Sequence, residues 1–279
     1  MNQSAINGLA RQREIFINGA AGLRPRVPAD FATLERRVRA KLRPEAFAYI
    51  AGGAGRESTV RRNQAAFERW RIVPRVLRDV SERDLSVSLF GRTLPAPFLL
   101  APIGVLELAH QEADLAVARA AAGLGLPFIF SNQASVPMER CAAAMGASPR
   151  WFQLYWSRSD ELVASLVRRA EAAGCEALVL TLDTTMLGWR TRDLDLAYLP
   201  FLEGKGIAQY TSDPAFLRLL GQPPRGSPAG PATKTTVTLR ALKTLFLMAA
   251  AYPAGFWRGL LSGDARSAVQ TFVNIYTRP

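Results

Sequence analysis

Four short apolar runs in this 279-residue sequence end in residues suited to binding chemistry: Pro102-Ile103-Gly104, Ser131-Asn132-Gln133, Gln153-Leu154-Tyr155 and Thr181-Leu182-Asp183-Thr184. A flavin or nucleotide ring takes neutral amide and hydroxyl partners at its edge and backbone close against its face. Ser131, Gln153 and Thr181 offer such partners, and Gly104 leaves room for close approach. Each alone reads equally well as a strand-end cap; four at equivalent positions point to one ligand edge. Tyr49, Tyr155 and Arg190 are the candidates for an anionic substrate, because a guanidinium fork matches a carboxylate and a phenol donates one directional hydrogen bond. Arg190 has a plain alternative in a salt bridge with Asp193 or Asp195, and Trp189 beside it reads as packing.

Other chemistries lack their parts. The single histidine, His110, has no orienting carboxylate in its local sequence, and a surface or helix-cap role suits it better than proton abstraction. Cys141 and Cys175 lie far apart among alanines, as small core residues in a reducing compartment do, and metal-site spacing is missing. The run Ala51-Gly52-Gly53-Ala54-Gly55 has no following Lys-Ser or Lys-Thr and reads as a flexible helix terminus rather than a phosphate loop.

The elements that must position these residues recur. Apolar runs start at Phe98, Pro127, Trp151 and Leu178, spaced 29, 24 and 27 residues apart, which suits one strand, one helix and two short loops. Helical patterns at 112–122, 138–144 and 160–173 fill the gaps, each followed by glycine (Gly123 and Gly125, Gly146, Gly174). Repeated βα units of this kind build a parallel sheet with its ligand edge at the carboxyl ends of the strands. Before them, residues 1–30 read as irregular, Asp30 as the cap of a helix at 31–42, and a further helix at 44–51 carries Tyr49; helix resumes through Asn63 and Phe67, and 70–77 and 85–89 read as extended. After Asp193 the rhythm fails: 194–206 is loop-like, 210–220 a short helix, 221–232 rich in Gly and Pro, and helices are expected at 236–251, 254–261 and 263–273. The expected organisation is 1–96 as a helical and short-strand segment, 97–193 as four βα units, and 194–279 as a loop or lid over the site. Four units are half of an eightfold barrel, so the expectation is an open half barrel or a barrel incomplete after residue 279.

Composition bounds the partners. With 49% apolar residues the chain can bury a large core. A formal charge of +12 is spread along the sequence as arginine without a nucleic-acid motif, so anionic small molecules are favoured over nucleic acid. The N-terminus lacks a signal-peptide pattern, which suggests the cytoplasm. The apolar stretch 244–257 spans 14 positions and contains Pro253, short of the about 20 that crossing a bilayer requires, leaving a surface-lying role as the membrane alternative.

The ordered set Tyr49-Ile-Ala-Gly-Gly-Ala, Glu82-Arg-Asp-Leu-Ser-Val, Leu100-Ala-Pro-Ile-Gly-Val, Trp151-Phe-Gln-Leu-Tyr, Leu180-Thr-Leu-Asp-Thr and Leu187-Gly-Trp-Arg-Thr-Arg-Asp-Leu resembles the FMN-dependent α-hydroxy acid oxidase and dehydrogenase family, closest to its lactate monooxygenase branch. The resemblance runs from about residue 30 to the end. It implies a (β/α)8 TIM barrel of the α/β class, with FMN contacted by Pro102, Ile103, Gly104, Ser131, Gln153 and Thr181. It further implies that Tyr49, Tyr155 and Arg190 face a small 2-hydroxy acid, that oxygen reoxidises the flavin, and that the complete enzyme is a homo-oligomer. Gly104, where oxidase relatives often carry alanine, points to the monooxygenase branch by leaving space for oxygen. The family's catalytic histidine, carboxylate-clamping arginine and phosphate site would fall after Pro279, so by this resemblance the chain holds no catalytic base, turns over negligibly and binds FMN weakly. The alternative is a non-catalytic half barrel that pairs with a partner or another copy.

Overall fold

The computed structural model describes residues 8–183 and 187–220, with a few positions between 238 and 250. Thr184, the helices expected at 254–261 and 263–273 and most of the 236–257 region lie outside the described residues. The chain divides into two compact units, Met1–Ala51 and Gly52–Pro279.

Among its described residues the first unit holds three helices, α1 (Gly8–Ala20), α2 (Phe31–Lys41) and α3 (Pro44–Ala51). Helix α2 starts where the sequence predicts: the Asp30 carboxylate accepts a 2.7 Å hydrogen bond from the Thr33 N–H, one of the four donors that a helix start leaves unpaired. Helix α3 buries Ala46 and Ala48, and the Arg39 guanidinium lies 5.6 Å from the Phe47 ring centre. Helix α1 stands where irregular chain is expected; it has no buried residue, so no apolar stripe advertises it.

The second unit opens with α4 (Ser58–Ala66) and an antiparallel hairpin of β1 (Val87–Leu89) and β2 (Arg92–Leu94). The alternation that follows is α5 (Ala113–Leu124), β3 (Phe128–Phe130), α6 (Met138–Met145), β4 (Arg150–Tyr155), α7 (Asp160–Ala172) and β5 (Leu178–Thr181). The strands form one parallel sheet in the order β3-β4-β5. The run expected as a strand at Phe98 reaches the sheet only as a parallel bridge from Leu100 to Phe128, because Pro97 and Pro102 remove backbone donors on either side. Gly125, Gly146 and Gly174 all carry positive φ at the ends of their helices, the stops that the sequence marks.

The sheet's core reads directly from its strands. All of β3 is buried, the Phe128 and Phe130 rings meeting edge to face at 5.3 Å, with Phe152 and Leu154 from β4. Ala118 and Ala121 of α5, Met138 and Cys141 of α6 and Leu162 and Leu166 of α7 close the helical side. Over residues 187–220 the chain is more ordered than a loop. It forms α8 (Thr191–Asp195), a 3-10 turn at Pro200–Glu203, α9 (Ala208–Thr211) and α10 (Pro214–Leu220), and buries Phe201, Ile207, Tyr210 and Phe216. The single helix expected at 210–220 breaks at Asp213, whose carboxylate accepts from the Ala215 and Phe216 N–H groups while Pro214 takes the first helical position.

Candidate functional site

The carboxyl ends of three adjacent strands bring three of the predicted binders into one hydrogen-bonded row. Gln153 of β4 is its centre: its Nε2 donates to Thr181 Oγ1 at 2.9 Å, and its Oε1 accepts from the Asn132 N–H at 3.1 Å and from Ser131 Oγ at 3.5 Å. Ser131 and Gln153 are buried and Thr181 is half-buried. Parallel register explains the meeting, since Gln153 pairs with Val179 and Tyr155 with Thr181, so alternate residues share a face.

Gly104 joins the row through packing. A side-chain carbon there would lie 2.8 Å from Gln133 Cβ, while the Val105 N–H donates to the Gln133 carbonyl at 2.9 Å. The missing methyl at 104 is therefore taken up by Gln133, a packing requirement that needs no appeal to space for oxygen. Pro102 is half-buried and Ile103 exposed on the same segment. Tyr155 stands at the end of β4, its N–H donating to Asn132 Oδ1 at 3.3 Å.

Arg190 adopts the salt bridge weighed for it, Nε lying 2.5 Å from Asp193 Oδ2 across the first turn of α8. This strip is pinned to the glycine run: the Gly55 N–H donates to the Trp189 carbonyl at 2.7 Å, Thr191 Oγ1 donates to the Gly55 carbonyl, and Arg192 pairs with Glu57 at 2.6 Å. Glu57 also accepts from the Gly53 N–H, and together with Arg192 this holds its carboxyl below the usual range. Gly53 is sterically required, since a side-chain carbon there would meet Val60 Cγ2 at 2.6 Å. Tyr49 sits half-buried on α3 in the other unit.

His110 is a local cap, Nδ1 accepting from the Glu112 N–H at 3.1 Å. Burial pushes both thiols, Cys141 and the half-buried Cys175, up to about 12, which keeps them protonated at neutral pH. Among the described residues no group of three His, Cys, Asp or Glu could hold a metal ion, and no helix is long and apolar enough to cross a membrane. A cavity of about 410 Å³ between α6 and α7 is lined by Arg150 at the amino end of β4, opposite the carboxyl ends that carry the row, and its Arg169 and Glu139 are paired with each other.

Sequence reasoning missed the layer behind the row. Asn132, fully buried, bonds Tyr210 of α9; Gln209, also fully buried, accepts from the Met138 N–H and donates to the Ser131 carbonyl. Asp114 of α5 accepts from the Ser135 and Val136 N–H groups and so fixes the loop after β3. No local signal marks these residues, because each partner is distant in sequence.

Tested against a flavin, the row fits. Its donors and acceptors are neutral amides and hydroxyls with no carboxylate among them, the set that a flavin edge takes. Comparison with known proteins agrees. A family profile described as FMN-dependent dehydrogenase matches residues 38–244. An L-lactate oxidase of Lysinibacillus sphaericus (strain C3-41) is 45% identical over 193 residues, which is 69% of this chain and 50% of that protein. A 4-hydroxymandelate oxidase of Amycolatopsis orientalis is 44% identical over 163 residues, 58% of this chain and 45% of that protein. A crystal structure of mandelate oxidase aligns with TM-score 0.58 and 41% identity over 62% of this chain and 50% of the other. The chain thus spans about half the length of the curated relatives it matches.

Proposed function

The chain belongs to the FMN-dependent dehydrogenase family, whose fold is the (β/α)8 barrel, and from that premise we propose that it serves the oxidation of a small (S)-2-hydroxy acid, L-lactate first, with oxygen as final electron acceptor. The observation that carries this reading is the neutral row Ser131, Gln153 and Thr181, hydrogen-bonded across three adjacent strand ends.

Ser131, Gln153 and Thr181 would hold the flavin edge, with Pro102, Ile103 and Gly104 along its face. When bound, FMN supplies the acceptor for the hydride that leaves the substrate carbon. The residues of this chain bind and orient. Tyr155, the last residue of the strand that carries Gln153, would offer its phenol as a hydrogen-bond donor to the hydroxy acid. The Arg190 guanidinium is fixed through Nε by Asp193, a held fork of the kind that recognises a carboxylate. Tyr49 is the third proposed contact. His110 is committed to its own turn, and the sequence has no other histidine, so none of these 279 residues is assigned the substrate proton. The proposed complete enzyme is cytoplasmic and homo-oligomeric.

Flavin fluorescence titration and lactate oxidation assays test the reading. The 279-residue chain is expected to bind FMN weakly and to turn over negligibly, and Gln153→Ala to weaken FMN binding further. Oxidation of L-lactate by these 279 residues at about 1 s⁻¹ or faster, as enzymes commonly achieve, would overturn the assignment of a non-catalytic role to this half. FMN binding that is indifferent to Gln153 and Thr181 would overturn the flavin-edge assignment. A second reading, a non-catalytic half that pairs with a partner or another copy, is favoured by one observation: Leu178 and Leu180 of β5 are exposed, and among the described residues no strand covers that edge.

A further inference from the structure

Strand β3 leaves the sheet after Phe130, whereas β4 runs on to Tyr155. On one flank Tyr155 is in register with Thr181 of β5. On the other, β3 no longer supplies a backbone acceptor, and the Asn132 side chain takes its place: Oδ1 accepts the Tyr155 N–H at 3.3 Å. A backbone N–H can only donate, so this bond fixes which way the carboxamide points. Its Nδ2 then faces Tyr210 and donates to that hydroxyl at 2.5 Å. The Asn132 N–H meanwhile donates to Gln153 Oε1. One fully buried side chain thus joins β4, the loop after β3 and α9, using both ends of its amide.

Helix α9 is itself anchored. The Ala208 N–H donates to the Ala134 carbonyl at 3.1 Å, Gln209 bridges the Ser131 carbonyl and the Met138 N–H, and the Tyr210 ring lies 5.3 Å from that of Phe216. Burial keeps the Tyr210 phenol protonated, so it presents the same neutral hydroxyl to Asn132 across the working pH range.

We propose that Asn132, held by Tyr210, is the positioning residue of Tyr155: the segment after β5 braces the substrate-facing tyrosine from behind, through a carboxamide that continues the ladder where β3 stops. This rests on the reading of Tyr155 as substrate-facing, but the brace itself is testable without flavin or substrate. Amide hydrogen exchange is measured on the full chain and on three variants. Asn132→Ala is expected to speed exchange at the Tyr155 N–H by about tenfold, as loss of one local closing interaction does, while Phe152 and Leu154 stay protected. Asn132→Asp keeps an acceptor and is expected to restore most of the protection. Tyr210→Phe, which removes one oxygen and keeps the ring packing, is expected to speed exchange at Tyr155 by a smaller factor, and it decides the matter if Asn132→Ala does not fold. Unchanged Tyr155 exchange in Tyr210→Phe and in a folded Asn132→Ala overturns the proposal, as does a loss of protection shared equally along β4. Failure of the functional reading shows separately, as absence of flavin binding in the unaltered protein whatever the exchange at Tyr155.

Discussion

At the scale of single residues, two positions make sharp demands. Gly104 abuts Gln133 so closely that an added side-chain carbon would fall 2.8 Å from Cβ, and neither backbone can yield without disturbing the Val105–Gln133 hydrogen bond. Gly104→Ala is expected to cost about 1–3 kcal/mol in urea denaturation, as overpacking does. Gln133→Gly removes the offending carbon, so the double variant is expected to be less destabilised than the sum of the two; additive costs would show that the clash is relieved elsewhere. Asp114 makes the second demand. Burial first, opposed by the Ser135 and Val136 N–H donors and assisted by Glu107, raises its carboxyl from 3.8 to about 6. The folded state therefore holds this proton more tightly than the unfolded chain. The stabilisation is complete below the unfolded value, declines as pH rises through the window up to about 6, and amounts to ~3 kcal/mol over the window. Asp114→Asn is expected to remove that decline, seen as the difference between the two proteins' urea midpoints across the window; parallel curves would refute the assignment. Ser131, Gln153, Thr181 and the Arg190–Asp193 pair are legible in the sequence because each depends on strand alternation or on neighbours three residues apart. Asn132, Gln209, Tyr210 and Asp114 are not, since their partners lie from 21 to 78 residues away and only the fold introduces them.

At the scale of elements, Arg169 is the most connected of the cations that fasten the segment after β5. Arg169 of α7 reaches Glu139 on α6 with two nitrogens, the Gln209 carbonyl at 2.7 Å, Ser212 Oγ at 2.8 Å and the fully buried Asp213 carboxylate at 3.1 Å. Asp213 in turn caps α10 and accepts from Ser165. Replacing Arg169 by Met keeps the aliphatic stem but leaves that carboxylate without its cation. A loss of about 3 kcal/mol is expected, at the low end for a broken buried pair because three neutral donors to Asp213 remain. Limited proteolysis is the check: cleavage within 196–213 should quicken before cleavage in β3 or β4, and an unchanged cleavage pattern would show that apolar packing alone holds the segment. The same segment shows the limit of pattern reading. The helices α5, α6 and α7 carry glycine stops and apolar periodicity, and their ends agree with expectation to within about two residues, the usual fraying. Helices α8 and α9 span 5 and 4 residues, too short for a periodic signal, and α1 has no buried face to pattern.

At the scale of the whole molecule, charge and exposed apolar surface oppose each other. A net +12 makes copies of the chain repel at low salt. Against that stand large apolar side chains in water: Ile72, Val73, Val76 and Leu77 on the stretch before β1, and Leu178 and Leu180 on β5 with Leu182 just after it. Exposed apolar side chains of this kind drive association, and the edge of β5, which no strand among the described residues covers, adds a backbone template for it. The two forces answer differently to salt. Screening shortens the reach of the repulsion to about 8 Å at physiological ionic strength and leaves apolar burial intact. Association is therefore expected to strengthen as sodium chloride is raised, visible in sedimentation velocity as a sedimentation coefficient that climbs with concentration and climbs further with salt. Leu180→Lys places a charge on the exposed face of β5 and is expected to lower the coefficient towards that of the monomer at every salt concentration while leaving the far-ultraviolet circular dichroism unchanged. Were association instead to weaken with salt, opposite charges rather than β5 would be holding copies together, and the pairing reading would lose its physical basis.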